Sequence, residues 1–164
     1  EKIKSNRLKE LLAILDECGG KVIIWASFRE SIKQIEKAVQ EKYKDKSVIA
    51  TYFGDTPADE RQNIINRFQD PKDKLRFFLG NQSTGGYGIT LTAASTVIYY
   101  SNTFDLEKRI QSEDRAHRIG QTNKVTYIDI TTEKTIDEKI VKALRNKINI
   151  ASEVMGEDFR EWLI

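Results

Sequence analysis

The run KVIIWASF, residues 21–28, is the segment on which the fold prediction rests. Its apolar and β-branched residues are contiguous, which is typical of a strand buried on both faces of a parallel sheet. Leucines at helical spacing precede it, and a glycine pair predicts the end of that helix. These residues are Leu8, Leu11, Leu12, Leu15, Gly19 and Gly20. The segment therefore predicts a helix that leads into a buried parallel strand.

Further strand-like and helix-like segments alternate downstream. The strand-like runs are SVIATYF (47–53), LRFFLG (75–80), STVIYYS (95–101) and KVTYIDI (124–130). Thr56 predicts the N-cap of a helix with Pro57 at its first position, and Thr135 with Glu138 predicts a capping box before a later helix. The alternation predicts an α/β fold, a mostly parallel sheet with helices on both faces. We expect one domain over residues 1–150 and an amphipathic helical tail over 151–164.

Composition limits the kinds of site that the chain can carry. Its 164 residues contain 27 Lys and Arg against 25 Asp and Glu, so a nucleic-acid surface would have to be a local patch. Cys18 is the single cysteine and His117 the single histidine. Disulfides within the chain are therefore impossible, and we expect no metal site. Without a long apolar run or a signal-peptide pattern, the sequence predicts a soluble, cytoplasmic domain with no membrane partner.

Polar and glycine-rich loops follow three of the predicted strands. They are SFRES (27–31), GDTPADER (54–61) and GNQSTGGYGITLTAAS (80–95). The carboxyl ends of parallel strands meet at one edge of a sheet, where ligands commonly bind. Backbone amides in such loops can approach phosphates, although caps and turns also favour these residue types.

The stretch QSEDRAHRIGQ, residues 111–121, places Gln111, Arg115 and Arg118 at helical spacing on one stripe. Two neighbouring guanidiniums repel each other, so the stripe favours an anionic partner, with a solvated basic face as the alternative. Arg109 lies on another side of the predicted helix. We expect Arg109→Ala to be mild, and exposed arginines of the stripe to contribute little to stability.

Taken in order, these motifs resemble those of superfamily-2 helicase-type ATPases of the Swi/Snf branch. IQSEDRAHRIGQ (110–121) is similar to the family's last signature motif, and FGDTPADERQNIINRF (53–68) and STGGYGITLTAASTVIYYS (83–101) are similar to earlier ones. The resemblance runs from about residue 5 to 150. It implies the second of two RecA-like motor lobes, a three-layer domain. The sequence lacks the large insertion of eukaryotic nucleosome remodellers, which suggests a compact bacterial, archaeal or viral member.

The resemblance also implies residue roles. Arg115 and Arg118 match arginine fingers that reach the γ-phosphate of ATP, and Gln111 matches a glutamine that couples the nucleotide to the cleft. Residues near nucleotide and cleft would be Gly86, Gly88 and Thr90. Contacts to the phosphates of the tracked strand would come from Ser27, Thr56, Gln82, Ser83 and Thr84, with the choice between Gln82 and Thr84 open.

No Walker A pattern and no acidic Walker B box occur in the sequence. The resemblance therefore implies half of an ATPase site, with ATP and Mg²⁺ bound mainly by an absent first lobe, and this chain alone is predicted to be inactive. The expected partners are that lobe and DNA, duplex or single-stranded, with RNA possible. A strand-separating DNA or RNA helicase is the alternative. A non-catalytic nucleic-acid module is a third, with Tyr87, Tyr99 and Tyr100 as stacking platforms, although Tyr99 and Tyr100 are expected in the core.

Overall fold

A computed structural model describes residues 6–82, 89–101, 106–116, 124–130, 142 and 144–146. Helices and strands alternate along these residues, as the sequence predicts. The elements are α1 (Asn6–Glu17), β1 (Lys21–Trp25), α2 (Arg29–Tyr43), a short 3-10 helix (Lys46–Val48), β2 (Ile49–Tyr52), α3 (Ala58–Gln69), β3 (Phe77–Gly80), β4 (Ala94–Tyr99), α4 (Leu106–Ala116) and β5 (Thr126–Asp129).

The strands form one parallel sheet in the order β2-β3-β1-β4-β5. Strand β1 lies at the centre, where Ile23 is opposite Phe78 of β3 and Val97 of β4. From Val22 to Trp25 the side chains of β1 are fully buried. This burial on both faces explains the uninterrupted apolar run in the sequence and confirms the parallel sheet.

Helices cover both faces of the sheet. On one face α1 and α2 pack through Leu11 and Ile35 against Ile24 and its neighbours. On the other face Phe68 of α3 and Ala116 of α4 belong to the core cluster that contains Ile23. The three-layer α/β arrangement is therefore confirmed.

At the amino-terminal edge of the sheet, Arg76 and Lys21 donate hydrogen bonds to carbonyl groups at the ends of α1 and α3. Arg76 donates through Nε to the carbonyl of Gly20 at 2.8 Å, and its Nη2 donates to the carbonyl of Cys18 just after α1. Lys21 donates to the carbonyl of Arg67 at 3.1 Å and to that of Asp70 at 2.6 Å, at the end of α3. The last carbonyls of a helix lack partners within it, so these contacts fix both helices against the sheet.

The N-cap prediction for α3 is wrong by one residue. Pro57 occupies the N-cap position, and its carbonyl accepts the first helical hydrogen bond from the amide of Arg61 at 2.9 Å. The Thr56 hydroxyl instead accepts from the amide of Phe53 at 3.1 Å. Thr56 therefore stabilises the turn before the helix and not the helix end.

Some sequence predictions lie outside the described residues, namely the capping box at Thr135 and Glu138 and the tail over 151–164. Leu144, which belongs to the helix expected after that capping box, is buried. Over the described ranges no helix combines the length and apolar character needed to cross a membrane. The same residues contain no group of three or more side chains suited to hold a metal ion.

Candidate functional site

The carboxyl ends of β2, β3 and β1 lie side by side, because these three strands are neighbours in the sheet. Backbone hydrogen bonds continue the ladder past the strand ends: the amide of Asn81 donates to the carbonyl of Tyr52 at 3.3 Å, and that of Ala26 to Gly80 at 3.0 Å. The Asn81 side chain donates to the carbonyl of Ser27 at 3.2 Å. The segments that begin the three predicted loops are thus joined at one edge of the sheet.

Two buried polar atoms at this edge have no hydrogen-bond partner among the described residues. They are the Ser27 hydroxyl oxygen and the amide nitrogen Nε2 of Gln82. The Ser27 backbone amide is held by the Ser101 hydroxyl at 2.6 Å, and Gln82 is 7% exposed. Buried polar groups normally find a partner, so both atoms are suited to a ligand or to a neighbouring segment.

Among the described residues, the Thr56 hydroxyl, unlike that of Ser27, is hydrogen-bonded within its own loop. Besides accepting from Phe53, this hydroxyl donates to the carbonyl of Thr51 at 3.4 Å. Arg61 reaches back from α3 and donates to the carbonyls of Thr56 at 2.8 Å and Gly54 at 3.0 Å. These contacts give the loop after β2 a fixed shape, and they engage the Thr56 hydroxyl within the loop itself.

Helix α4 carries Gln111 and Arg115, which sequence analysis places on one stripe. Gln111 is half-buried and donates to Glu107 at 3.3 Å. The backbone carbonyl of Arg115 accepts from the amide of Leu91 at 2.8 Å, next to the half-buried Thr90. Arg115 is only 5% exposed. The expectation of an exposed arginine is therefore wrong for Arg115, and its replacement should affect packing.

Arg109 is the centre of a buried ionic cluster on the same helix. Its guanidinium binds Asp129 of β5 through both terminal nitrogens, at 2.6 and 3.1 Å, and donates from Nε to Glu113 at 2.8 Å. It also lies 3.4 Å from the centre of the Tyr99 ring. Arg109 is 6% exposed, and this burial argues against the expected mild effect of its replacement.

Hydrogen bonds extend this cluster to the sheet. The Tyr99 hydroxyl lies 2.7 Å from that of Ser112, which donates to the carbonyl of Arg109 at 2.7 Å. The Tyr127 hydroxyl donates to the carbonyl of Glu113 at 3.3 Å. Burial raises the pKa of Tyr99 well above its ordinary value, so its hydroxyl stays protonated. Tyr99 and Tyr100 are core residues, as expected, and are not stacking platforms.

Glu113 shares its cation with a second carboxylate. Burial raises the pKa of the Glu113 carboxyl, and the nearby Arg109 opposes that shift. Its second oxygen, Oε2, is buried without a hydrogen-bond partner within the described part of the chain. The carboxylates of Glu113 and Asp129 therefore both lie on the Arg109 guanidinium.

Sequence reasoning missed the pairing of Arg109 with Asp129. The two residues are 20 positions apart, and helical periodicity describes only contacts within α4. A signal existed: Asp129 interrupts the otherwise apolar end of KVTYIDI, and a carboxylate in a strand next to the core requires a partner.

Several predicted site residues lie outside the described residues. They are Ser83, Thr84, Gly86, Gly88 and Arg118, together with Tyr87. The described members are Ser27, Thr56, Gln82, Thr90, Gln111 and Arg115. Ser27, Thr56 and Gln82 follow the carboxyl ends of neighbouring strands. Gln111 and Arg115 lie on α4, which is hydrogen-bonded to Leu91, the residue next to Thr90.

Residues 3–120 match the helicase conserved C-terminal domain. The chain belongs to this family. It is 34% identical over 145 residues to the ATP-dependent helicase fft2 of Schizosaccharomyces pombe, a match that covers 88% of this chain and 11% of the relative. It is 34% identical over 158 residues to the chromatin-remodeling ATPase INO80 of Mycosarcoma maydis, covering 94% of this chain and 8% of the relative.

Solved structures agree with this assignment. The C-terminal part of the Fun30 ATPase domain matches with a TM-score of 0.71 and 32% identity, over 86% of this chain and 46% of that one. The Sulfolobus solfataricus SWI2/SNF2 ATPase core in complex with double-stranded DNA matches with a TM-score of 0.69 and 26% identity, over 89% and 30%. The domain is therefore a RecA-like C-terminal lobe of the Swi2/Snf2 ATPase type.

The comparisons do not support a compact bacterial, archaeal or viral origin. The relatives of similar identity include the chromatin-remodeling ATPase INO80 of Mycosarcoma maydis and the SWI/SNF chromatin-remodeling complex subunit snf22 of Schizosaccharomyces pombe. The chain spans about a tenth of the length of the curated relatives it matches.

Proposed function

We propose that this domain is the second motor lobe of a DNA-dependent ATPase that translocates along nucleic acid. The observation that carries the proposal is the placement of α4. This helix bears Gln111 and Arg115 on one stripe, and its carboxyl end is bonded at Leu91 to the segment that contains Thr90. The similarity to the C-terminal lobes of Swi2/Snf2 ATPases supports the same role.

In this proposal Arg115 and Arg118 supply positive charge to ATP held by the first lobe. Phosphoryl transfer spreads negative charge over the phosphate oxygens, and a guanidinium neutralises it without transferring a proton. Gln111 couples the nucleotide to the cleft, and Gly86, Gly88 and Thr90 approach both. Mg²⁺ and most of the nucleotide contacts belong to the first lobe, because this sequence has no Walker A or Walker B motif.

The strand ends at the carboxyl edge are the proposed contacts to the tracked nucleic-acid strand. The buried Ser27 hydroxyl and Gln82 amide, which have no hydrogen-bond partner among the described residues, support this role. Ser83 and Thr84 follow Gln82 in the same loop. The Thr56 hydroxyl is engaged within its own turn, so we propose that Thr56 contributes through the shape of the loop.

A comparison of ATP hydrolysis tests the proposal. This chain alone should release phosphate no faster than background, with or without DNA, because it lacks the lysine and the magnesium ligands of a P-loop. The natural full-length protein should hydrolyse ATP, and DNA should stimulate it. Hydrolysis by the pure 164-residue chain that DNA accelerates would refute the two-lobe account.

A further inference from the structure

The clamp consists of Arg109 and Glu113 of α4, Asp129 of β5 and Tyr99 of β4. Its arginine is on the same helix as the stripe but is not part of the stripe. Arg109 contacts β5 through Asp129 and β4 through the Tyr99 ring, with its Nε returning to Glu113 on α4. The guanidinium thus joins three elements at a single buried point.

The clamp fixes the orientation of α4 relative to the sheet. Asp129 receives both terminal nitrogens of Arg109, and two parallel hydrogen bonds hold two planar groups in one relative geometry. The Tyr99 ring lies against the guanidinium, and the bond of Tyr99 to Ser112 ties the next turn of α4 to the same strand. Rotation of α4 about its axis would break all of these contacts together.

Gln111 and Arg115 lie two and six residues beyond Arg109, so Arg115 is about 9 Å further along the helix axis. At that end the helix is held by the bond from Leu91 to the Arg115 carbonyl. The clamp adds a side-chain restraint that fixes the rotation of α4 about its axis. The position of the stripe therefore depends on the clamp.

We infer that Arg109 is a positioning residue, which sets the orientation of α4 and thereby places Gln111 and Arg115 for ATP hydrolysis. The inference rests on the proposed function, because it assigns Arg109 an effect on a reaction that the stripe performs. Arg109 itself touches no nucleotide in this account. A displacement of about 1 Å at a reacting centre can reduce turnover by roughly 10²-fold.

The test measures kcat and KM for ATP in the natural full-length protein at saturating DNA, well below the melting temperature of each variant. Arg109→Met and Arg109→Lys should lower kcat by roughly 10- to 100-fold and change KM by less than about twofold. Lysine should rescue little, because an ammonium cannot reproduce the planar fork. Asp129→Asn should cause a smaller loss in kcat. Arg145→Met, the same chemical change at an exposed position, is the control and should leave kcat unchanged.

A double variant separates positioning from simple destabilisation. If Arg109 acts through the stripe, Arg109→Lys combined with Arg115→Ala should be little slower than Arg115→Ala alone. The inference would be overturned if the kcat losses of the two single variants multiplied in the double variant. It would also be overturned if Arg109→Lys and Asp129→Asn both kept the parental kcat. If Arg109→Met does not fold, these two variants decide. If Arg115→Ala itself keeps its rate, the proposed function fails, and the positioning role fails with it.

Discussion

Arg109 and Arg115 lie on one helix, yet the structure gives them different neighbours. Arg109 binds two carboxylates, those of the buried Glu113 and the partly buried Asp129. Arg115 is equally buried, and its backbone is bonded to Leu91. We therefore expect both arginines to matter to folding, whereas only Arg115 is proposed to act on ATP.

Replacement of Arg109 should destabilise the domain strongly. Arg109→Met removes the guanidinium that pairs with the buried Glu113 and the partly buried Asp129, and removal of one partner of a buried ion pair typically costs about 3–5 kcal/mol. Urea denaturation of the 164-residue chain would measure the loss in the free energy of unfolding. Arg145→Met, at an exposed position, should stay within about 0.5 kcal/mol of the parent. Equal stability of the two variants would show that the clamp contributes nothing.

At the scale of elements, the order of strands and helices follows from the sequence, and the contacts between distant elements do not. Contiguous apolar residues identify β1 because both of its faces are buried. The start of α3 is misplaced by one residue, since the Thr56 hydroxyl finds a partner at Phe53. Helical periodicity does not predict the clamp, because α4 and β5 come into contact only in the folded domain.

The end of β3 packs so closely that only glycine fits. A Cβ atom on Gly80 would lie 2.9 Å from Cζ3 of Trp25 and 3.1 Å from the carbonyl oxygen of Tyr52. Gly80→Ala must therefore shift a fully buried tryptophan or the neighbouring strand, at a cost of about 1–3 kcal/mol.

Gly54 provides the matched control for this substitution. A Cβ there would meet nothing within 4 Å, so Gly54→Ala should be tolerated. Thermal melting of both variants checks the pair. A melting temperature that falls as far for Gly54→Ala as for Gly80→Ala would contradict this description of the strand end.

At the scale of the whole molecule, positive and negative charges are nearly balanced, whereas nucleic-acid binding is proposed for the carboxyl edge of the sheet alone. The formal net charge is +2. A long-range attraction to nucleic acid is therefore weak, and binding must depend on local contacts at the carboxyl edge of the sheet.

Binding of DNA by the 164-residue chain should accordingly be weak, independent of base sequence and strongly salt-sensitive. Contacts to phosphates release counterions, so affinity falls as salt rises, whereas contacts to base edges would confer sequence preference. Titration of labelled duplexes of two unrelated sequences at two ionic strengths would measure both properties. Tight binding that ignores salt, or that prefers one duplex, would contradict the assignment of Ser27, Gln82 and their neighbours to the phosphate backbone.

The central claim is that α4 and the residues that follow it complete an ATP site whose other half lies in another lobe. Steady-state ATP hydrolysis by the natural full-length protein at saturating DNA tests it most directly, with Arg118→Ala compared with the parent. We predict a loss of roughly 10³-fold or more in turnover, with a much smaller change in nucleotide affinity, because an arginine finger acts mainly on the transition state. Arg118→Lys should restore little of the rate. An Arg118→Ala protein that hydrolyses ATP at the parental rate would contradict the account.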